Sequence, residues 1–444
     1  MRACVILFIC VAVWAIWRKF NREFLKDAFS PLNILLYFWI LPFLGSYMWL
    51  SRLQKPLSVE ATSIIVGSTI VLVVTSLVPA FVLQRKALSI RQSPDLAGLR
   101  GSRWLVTLFF VATLVALYFA EFHDQELPLI LYVTGAAENA SLHTYGKDSK
   151  LQVLAYGVFV ATALGFYCGL HQKNRAARVM FISMLLIVVA MAILKASKSD
   201  IYHPLLMCAA IYYYRNAAEH RRPPRLSMLW VVLLVGALAS VSTLRVEGLG
   251  VEGGYASEIQ FKYSDQLGPV LAPIVATIYG YVSLGFQNFS NVIARTDDSW
   301  RLGTSLLRPL LSAFMQGDVA RSLDVPVDQW GVVSNAANVG TYLTGLYIEG
   351  HAFACLAGSF VYGVLVNAVY IRFRLKEGGM WMFAYVAFLF PWSWLFFTNA
   401  FSVLSTFTNV LYVFGVFVVI RSIQAYRQRV HVKGEATAAF RTRV

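Results

Sequence analysis

Four short stretches carry side chains that could do chemistry. Lys195, Lys198 and Asp200 fall within KASKSD, between two apolar runs. Arg245 and Glu247 close another run in STLRVEG, and Arg295, Asp297, Asp298 and Arg301 crowd into ARTDDSWR. Glu349 and His351 stand two apart in YIEGHAF, where a further apolar run begins. Cations at the ends of apolar segments need a partner. A pyrophosphate fits, because its oxygens accept charge-assisted hydrogen bonds from a guanidinium fork or an ammonium group. A carboxylate nearby suits a different task, taking the proton of an attacking hydroxyl during glycosyl transfer. Arg245, Lys198, Arg295, Arg301 and His351 are therefore candidates for holding a diphosphate, and Glu349 and Glu247 for the base. Snorkelling and local salt bridges are the ordinary alternatives for such side chains.

The elements that must position these residues are membrane spans. Of the 444 residues, 58% are hydrophobic and only 14% charged, against ~25% charged in a typical soluble domain. Apolar runs long enough to cross a ~30 Å hydrocarbon core as helices recur near 3–17, 31–50, 61–83, 104–121, 151–170, 179–195, 201–214, 227–243, 350–371, 380–397 and 403–420. The expected fold is thus an all-α, polytopic membrane protein of about eleven transmembrane helices. The first run, followed by Arg18, Lys19, Arg22 and Lys26, reads as an uncleaved anchor with its N-terminus outside.

Charge fixes the orientation. With that N-terminus outside, the inner segments hold 25 Lys and Arg against 6 acids, a net of +19, and everything outer holds 13 against 17, a net of −4. This is the positive-inside pattern. It survives only if 268–292, apolar but broken by Pro269, Pro273, Gly280 and Gly285, stays on the outer side as a re-entrant or interfacial element. Segment 302–315 reads as a second interfacial helix. The chain then divides into a membrane domain over 1–243, one large periplasmic loop over 244–349, a second membrane domain over 350–420, and a basic cytoplasmic tail over 421–444.

The net charge of +15 sits in short inter-span loops, with no basic run interleaved with aromatics, so nucleic acid is not an expected partner. The five cysteines, Cys4, Cys10, Cys168, Cys208 and Cys355, lie in or beside apolar runs without metal-ligand spacing. No zinc-protease, nucleotide-binding or nucleophile-elbow motif is present. A reaction without metal or cofactor, on a lipid-linked substrate in the bilayer, is expected.

Three features resemble the Wzy-type O-antigen polymerases, the oligosaccharide repeat unit polymerases. An anchor and basic loop lead into the proline-led span KDAFSPLNILLYFWILP. A charged turn with Ser197, Lys198 and Ser199 separates spans six and seven, where the family tends to carry Ser-Arg. The stretch SNAANVGTYLTGLYIEGHAFACLAGSFVYG is similar to the family's pattern at Thr341, Tyr342, Tyr347, Glu349, Gly350, Gly358 and Gly363. The resemblance implies a bacterial inner-membrane glycosyltransferase of O-antigen or exopolysaccharide synthesis. It would act on undecaprenyl-diphosphate-linked glycans at the periplasmic face, with a chain-length regulator as a further partner. The acceptor repeat's hydroxyl would attack the donor's anomeric carbon and the lipid diphosphate would leave, stabilised by Arg245, Lys198 and Arg295 or Arg301. A lysine at 198 cannot fork as arginine does.

Rival classes separate on particular features. An O-antigen ligase shares the chemistry and the arginines. A flippase or other transporter favours charges within its spans, which are few here. A membrane acyltransferase favours an intramembrane histidine, and His203 is the candidate.

Overall fold

The computed structural model describes residues 27–84, 103–123, 127–134, 149–172, 174–220, 254–296, 332–333, 340–375, 379–400 and 404–441. The expected spans at 3–17 and 227–243 and the segment 302–315 lie outside these residues. Among those described, every regular element is helical, and one isolated antiparallel bridge joins Ser51 to Phe261.

The helices are α1 (Pro31–Met48), α2 (Val59–Gln84), α3 (Arg103–Glu121), the short α4 (Pro128–Val133), α5 (Ser149–Leu170), α6 (Arg175–Leu194), α7 (Lys198–His220), the short α8 (Gly254–Glu258), α9 (Ser264–Ile293), α10 (Tyr342–Leu375), α11 (Gly379–Ser393) and α12 (Leu404–Arg441). Seven of them, α1, α2, α3, α5, α6, α10 and α12, contain stretches long and apolar enough to cross a bilayer, which makes this a multi-pass membrane protein. Two further expected spans differ. The helix over 201–214, α7, is polar at its two ends and carries His203 between them. The apolar run 380–397 is helical only to Ser393; 15 helical residues reach about 22 Å, and the chain continues through non-helical turns to Asn399.

Local chemistry sets the boundaries. Ser30 caps α1 by accepting from the Asn33 amide at 3.3 Å, with Pro31 at the first helical position. Midway, Leu36–Ile40 opens into a π-helical turn. Asn174 caps α6 through the Ala176 amide at 2.9 Å. Large apolar side chains such as Leu108, Val111, Leu186 and Ile187 remain exposed on α3 and α6, as lipid-facing positions must.

Packing gives the bundle its order. α5 lies between α3 and α6 and also meets α7 and α12, while α2 pairs along its length with α10. At Gly363 the two backbones approach so closely that a Cβ would overlap the Thr75 hydroxyl. Such close approach supplies the dispersion contact that lipid-immersed helices need, since apolar lipid gives no hydrophobic drive between them.

α9 corresponds to the apolar segment expected to avoid crossing. It kinks at Gly268, whose φ of 71° suits only glycine. Its second half runs along the short connection between α1 and α2. Tyr279 accepts from the Leu50 amide at 3.2 Å and donates to Gln54. Further along, the Gln287 side chain accepts from the Lys55 amide at 3.0 Å, and Ser290 from the Ser58 amide at 2.9 Å. α9 therefore lies across one end of the bundle.

Candidate functional site

At the end of the bundle covered by α9, three pieces of chain meet. The first is the turn between α6 and α7. Ala196 takes a left-handed φ of 52° there, and Lys195 is folded onto two carboxylates, Asp200 at 3.0 Å and Glu121 at 3.1 Å. Burial alone would lower its pKa, but Asp200 and Glu121 outweigh burial and hold the ammonium charged. Lys198 points elsewhere: its ammonium lies 3.5 Å from the centre of the Tyr281 ring on α9, a cation–π contact. Tyr281 is itself stacked with Phe397 at 5.5 Å and Tyr255 at 5.3 Å.

The second piece is a short helix at the start of α10. The Tyr342 amide donates to the Leu395 carbonyl at 2.9 Å, inside the bundle. The following turns double back on the rest of α10. The Tyr342 and Ser359 hydroxyls are 2.6 Å apart, and the Cys355 thiol reaches the Leu343 carbonyl at 3.5 Å. Reversal occurs at Gly350 and His351, where helical geometry breaks. His351 adopts φ 52°, ψ −148°, a region populated almost entirely by glycine and costly for a residue with a Cβ. Residues 342–349 thus form a re-entrant helix, buried along its length. The boundary expected at 349/350 between loop and span falls on the kink, and the residues before it belong to the bundle.

The third piece is the non-helical stretch 394–400. Its Phe396 carbonyl and the Gly340 carbonyl press against Gly285 of α9, leaving about 3.0 Å for any added Cβ. Irregular backbone of this kind persists in a membrane protein only where protein or water satisfies it. Here the Phe397 and Thr398 amides donate to the Trp394 carbonyl at 2.9 and 3.2 Å, and the Asn399 side-chain amide donates to the Tyr362 hydroxyl at 3.1 Å.

Of the expected site residues, Lys198, Arg295, Glu349 and His351 are described, and α9 gathers them at one end. Lys198 sits on Tyr281. Eight residues further along α9, Phe289 meets Tyr347 of the re-entrant helix edge-on at 5.9 Å, and Arg295, exposed, follows the helix end. Tyr347 also meets the His351 ring at 5.2 Å. Glu349 is only 1% exposed and lies within electrostatic reach of Tyr362. Arg245, Glu247 and Arg301 lie outside the described residues. Sequence reasoning passed over Glu60, an exposed carboxylate in the first turn of α2 that accepts from the Tyr347 hydroxyl at 2.8 Å. An acid just before a span looks like an ordinary helix-start residue, so nothing in the sequence singled it out. Tyr281 and Asn399 were likewise invisible, because their roles come from contacts across the bundle.

His203, the acyltransferase candidate, is buried on α7 and clamped between Phe390, with rings 4.1 Å apart and nearly parallel, and Phe159 at 4.7 Å. That is a packing environment. A surface groove between α3 and α6, walled by Trp104, Leu108, Val111 and Met180, lies away from all of these residues.

The opposite end of the bundle carries a second polar cluster. Asp27, 1% exposed, accepts from Tyr370 at 2.7 Å, Tyr214 at 3.3 Å and the Phe29 amide at 3.0 Å, and pairs with Arg374 at 3.4 Å. Burial pushes its pKa up, against the pull of Arg374 and the hydroxyls. Asn33 donates to the Asp27 carbonyl at 2.6 Å and Trp392 to that of Pro31 at 2.8 Å. The DAFSP stretch is thereby tied to α7, α10 and α11. Compared with family models, with curated proteins and with solved structures, the chain matches none.

Proposed function

We propose that this protein is a polymerase that joins oligosaccharide repeat units carried on undecaprenyl diphosphate, at the periplasmic face of a bacterial inner membrane. The observation that carries this reading is the end of the bundle where α9 brings a cation on an aromatic ring, Lys198 on Tyr281, to the same side as a re-entrant helix bearing Glu349 and the strained His351. The sequence resemblance and the charge asymmetry of the loops support it. In this reading the α9 end is periplasmic and the Asp27 end cytoplasmic. Lys198 and Arg295, with Arg245 and Arg301, hold the diphosphate of the donor and stabilise its charge as it leaves. A carboxylate at this end receives the proton of the acceptor hydroxyl. The separation of Lys195 from Lys198 supports the division of labour: the first is committed to Glu121 and Asp200, the second is set on a ring at the site.

Gene deletion tests the reading. The expected result is a surface glycan of single repeat units with the long ladder missing. Long polymer retained on the lipid carrier would assign the protein to ligation, and single repeats stalled at the cytoplasmic face to transport. An unchanged glycan profile would refute the polysaccharide reading altogether.

A further inference from the structure

Glu349 has the chemistry of a base but not the access, since it is 1% exposed inside the bundle. Glu60 has both. Its side chain belongs to an exposed residue in the first turn of α2, and one oxygen accepts from the Tyr347 hydroxyl at 2.8 Å. Tyr347 is held in turn by the ring edges of Phe289 at 5.9 Å and His351 at 5.2 Å, and it lies two residues before Glu349 on the re-entrant helix. Glu60 is thus an accessible carboxylate oriented by a buried hydroxyl, at the end of the bundle where Lys198 and Arg295 lie.

We propose that Glu60 is the catalytic base of the transfer, with Tyr347 as its positioning residue; the proposal rests on the polymerase reading above. The acceptor's O–H bond breaks as a Glu60 oxygen takes the proton. The freed oxygen pair forms the new bond to the donor's anomeric carbon, and the bond from that carbon to the phosphate oxygen breaks, its electron pair leaving on the lipid diphosphate. Every proton and electron pair is accounted for without a further reactant. Eight residues of α9, about 12 Å, separate the ring beneath Lys198 from the ring against Tyr347.

Glutamine at position 60 separates the two roles this residue could have, because its carbonyl oxygen still accepts from Tyr347 while the base is gone. In a deletion strain complemented at matched membrane levels, wild-type protein should restore the long ladder. E60Q should lower polymer output by at least about 100-fold, the usual range for a lost general base, and E60D should be partly active. Y347F, which keeps the carboxylate and loses only its positioning bond, should stay within about tenfold of wild type. A normal ladder from E60Q overturns the proposal, as does a Y347F defect equal to that of E60Q, because Glu60 would then act only as an anchor for Tyr347. If E60Q fails to accumulate, E60A repeats the test, and a normal ladder from it is equally fatal. A deletion strain whose ladder is unchanged removes the polymerase reading and this proposal together, a result distinguishable from loss of the Glu60 assignment alone.

Discussion

The two ends of the bundle handle charge in opposite ways. At the Asp27 end, the carboxylate is buried and satisfied by two tyrosine hydroxyls, a backbone amide and Arg374. Aromatic rings close around it: Phe29 meets Tyr213 at 5.2 Å, and Tyr370 meets Tyr385 at 4.9 Å. At the α9 end, an ion triad is paired, but Glu60 and Arg295 are exposed, Lys198 rests on the Tyr281 ring, and backbone strain sits at His351. A buried, fully engaged charge specifies how helices assemble. Polar groups left accessible on a packed scaffold, with strain beside them, mark a working surface. In the polymerase reading, charge in this protein serves assembly at one end and chemistry at the other.

The comparison breaks most visibly at Asp27. Replacing it with alanine removes the charge partner of Arg374 and the shared acceptor of the Tyr370 and Tyr214 hydroxyls, so D27A should cost about 3–5 kcal/mol and deplete the protein from membranes. D27N, which still accepts hydrogen bonds, should cost less. Thermal unfolding of the purified variants in detergent measures both. A stable D27A with defective polymer would move this cluster from assembly to chemistry.

Lys195 comes next, as the part of the α9 end that behaves like the closed end. K195M leaves Glu121 and Asp200 facing each other, and a loss of about 2–3 kcal/mol is expected. The pH dependence has a definite sign. Because the folded pKa is raised, the lysine's contribution is complete below its unfolded value of about 10.4 and is lost only as pH climbs from there toward the folded value. Unfolding followed from pH 6 to 11 should show a flat K195M-to-wild-type difference that shrinks only at the alkaline limit. A difference that closes near pH 7 would show that Lys195 is not held charged.

Tyr281 gives the smallest effect and the sharpest discrimination. A cation–π contact of about 1 kcal/mol predicts that Y281L lowers polymer output about fivefold while Y281F, which keeps the ring, stays near wild type. Equal activity of the two variants would reduce Tyr281 to packing. Failure of Y281F alone would shift the role to the hydroxyl.

What could be read in advance follows from how each feature is encoded. The runs at 61–83, 104–121, 151–170 and 179–195 became α2, α3, α5 and α6 with small boundary shifts, because apolar length is a local property. Hydropathy failed where buried backbone stops being helical: it carried the span of α11 through Trp394–Phe397, which are apolar but turn. It also missed the re-entrant helix. Thr344, Glu349 and His351 interrupt the apolar pattern there, and only the partners of that helix, Leu395, Ser359 and Cys355, reveal that it enters the bundle. Lys198 and Glu349 were selected by residue type and position. Glu60 was not, since its significance comes from Tyr347, 287 residues away in the chain.

The close approach of α2 and α10 has a consequence measured in time. Ser76 and Asn367, which meet at 3.5 Å across that contact, are 291 residues apart. At ~5–20 residues per second of synthesis, α2 waits roughly 15–60 s in the bilayer before its partner emerges. Its polar residues are equipped for the delay. Thr62, Ser63, Thr69 and Thr75 all donate to carbonyls of their own helix or its cap, at 2.7–3.0 Å. Those four hydroxyls are satisfied before α10 arrives, and the Asn367 side-chain nitrogen, bonded to its own Gly363 carbonyl at 2.6 Å, enters bonded as well. This helix pair can therefore form late with the Thr62, Ser63, Thr69 and Thr75 hydroxyls already bonded.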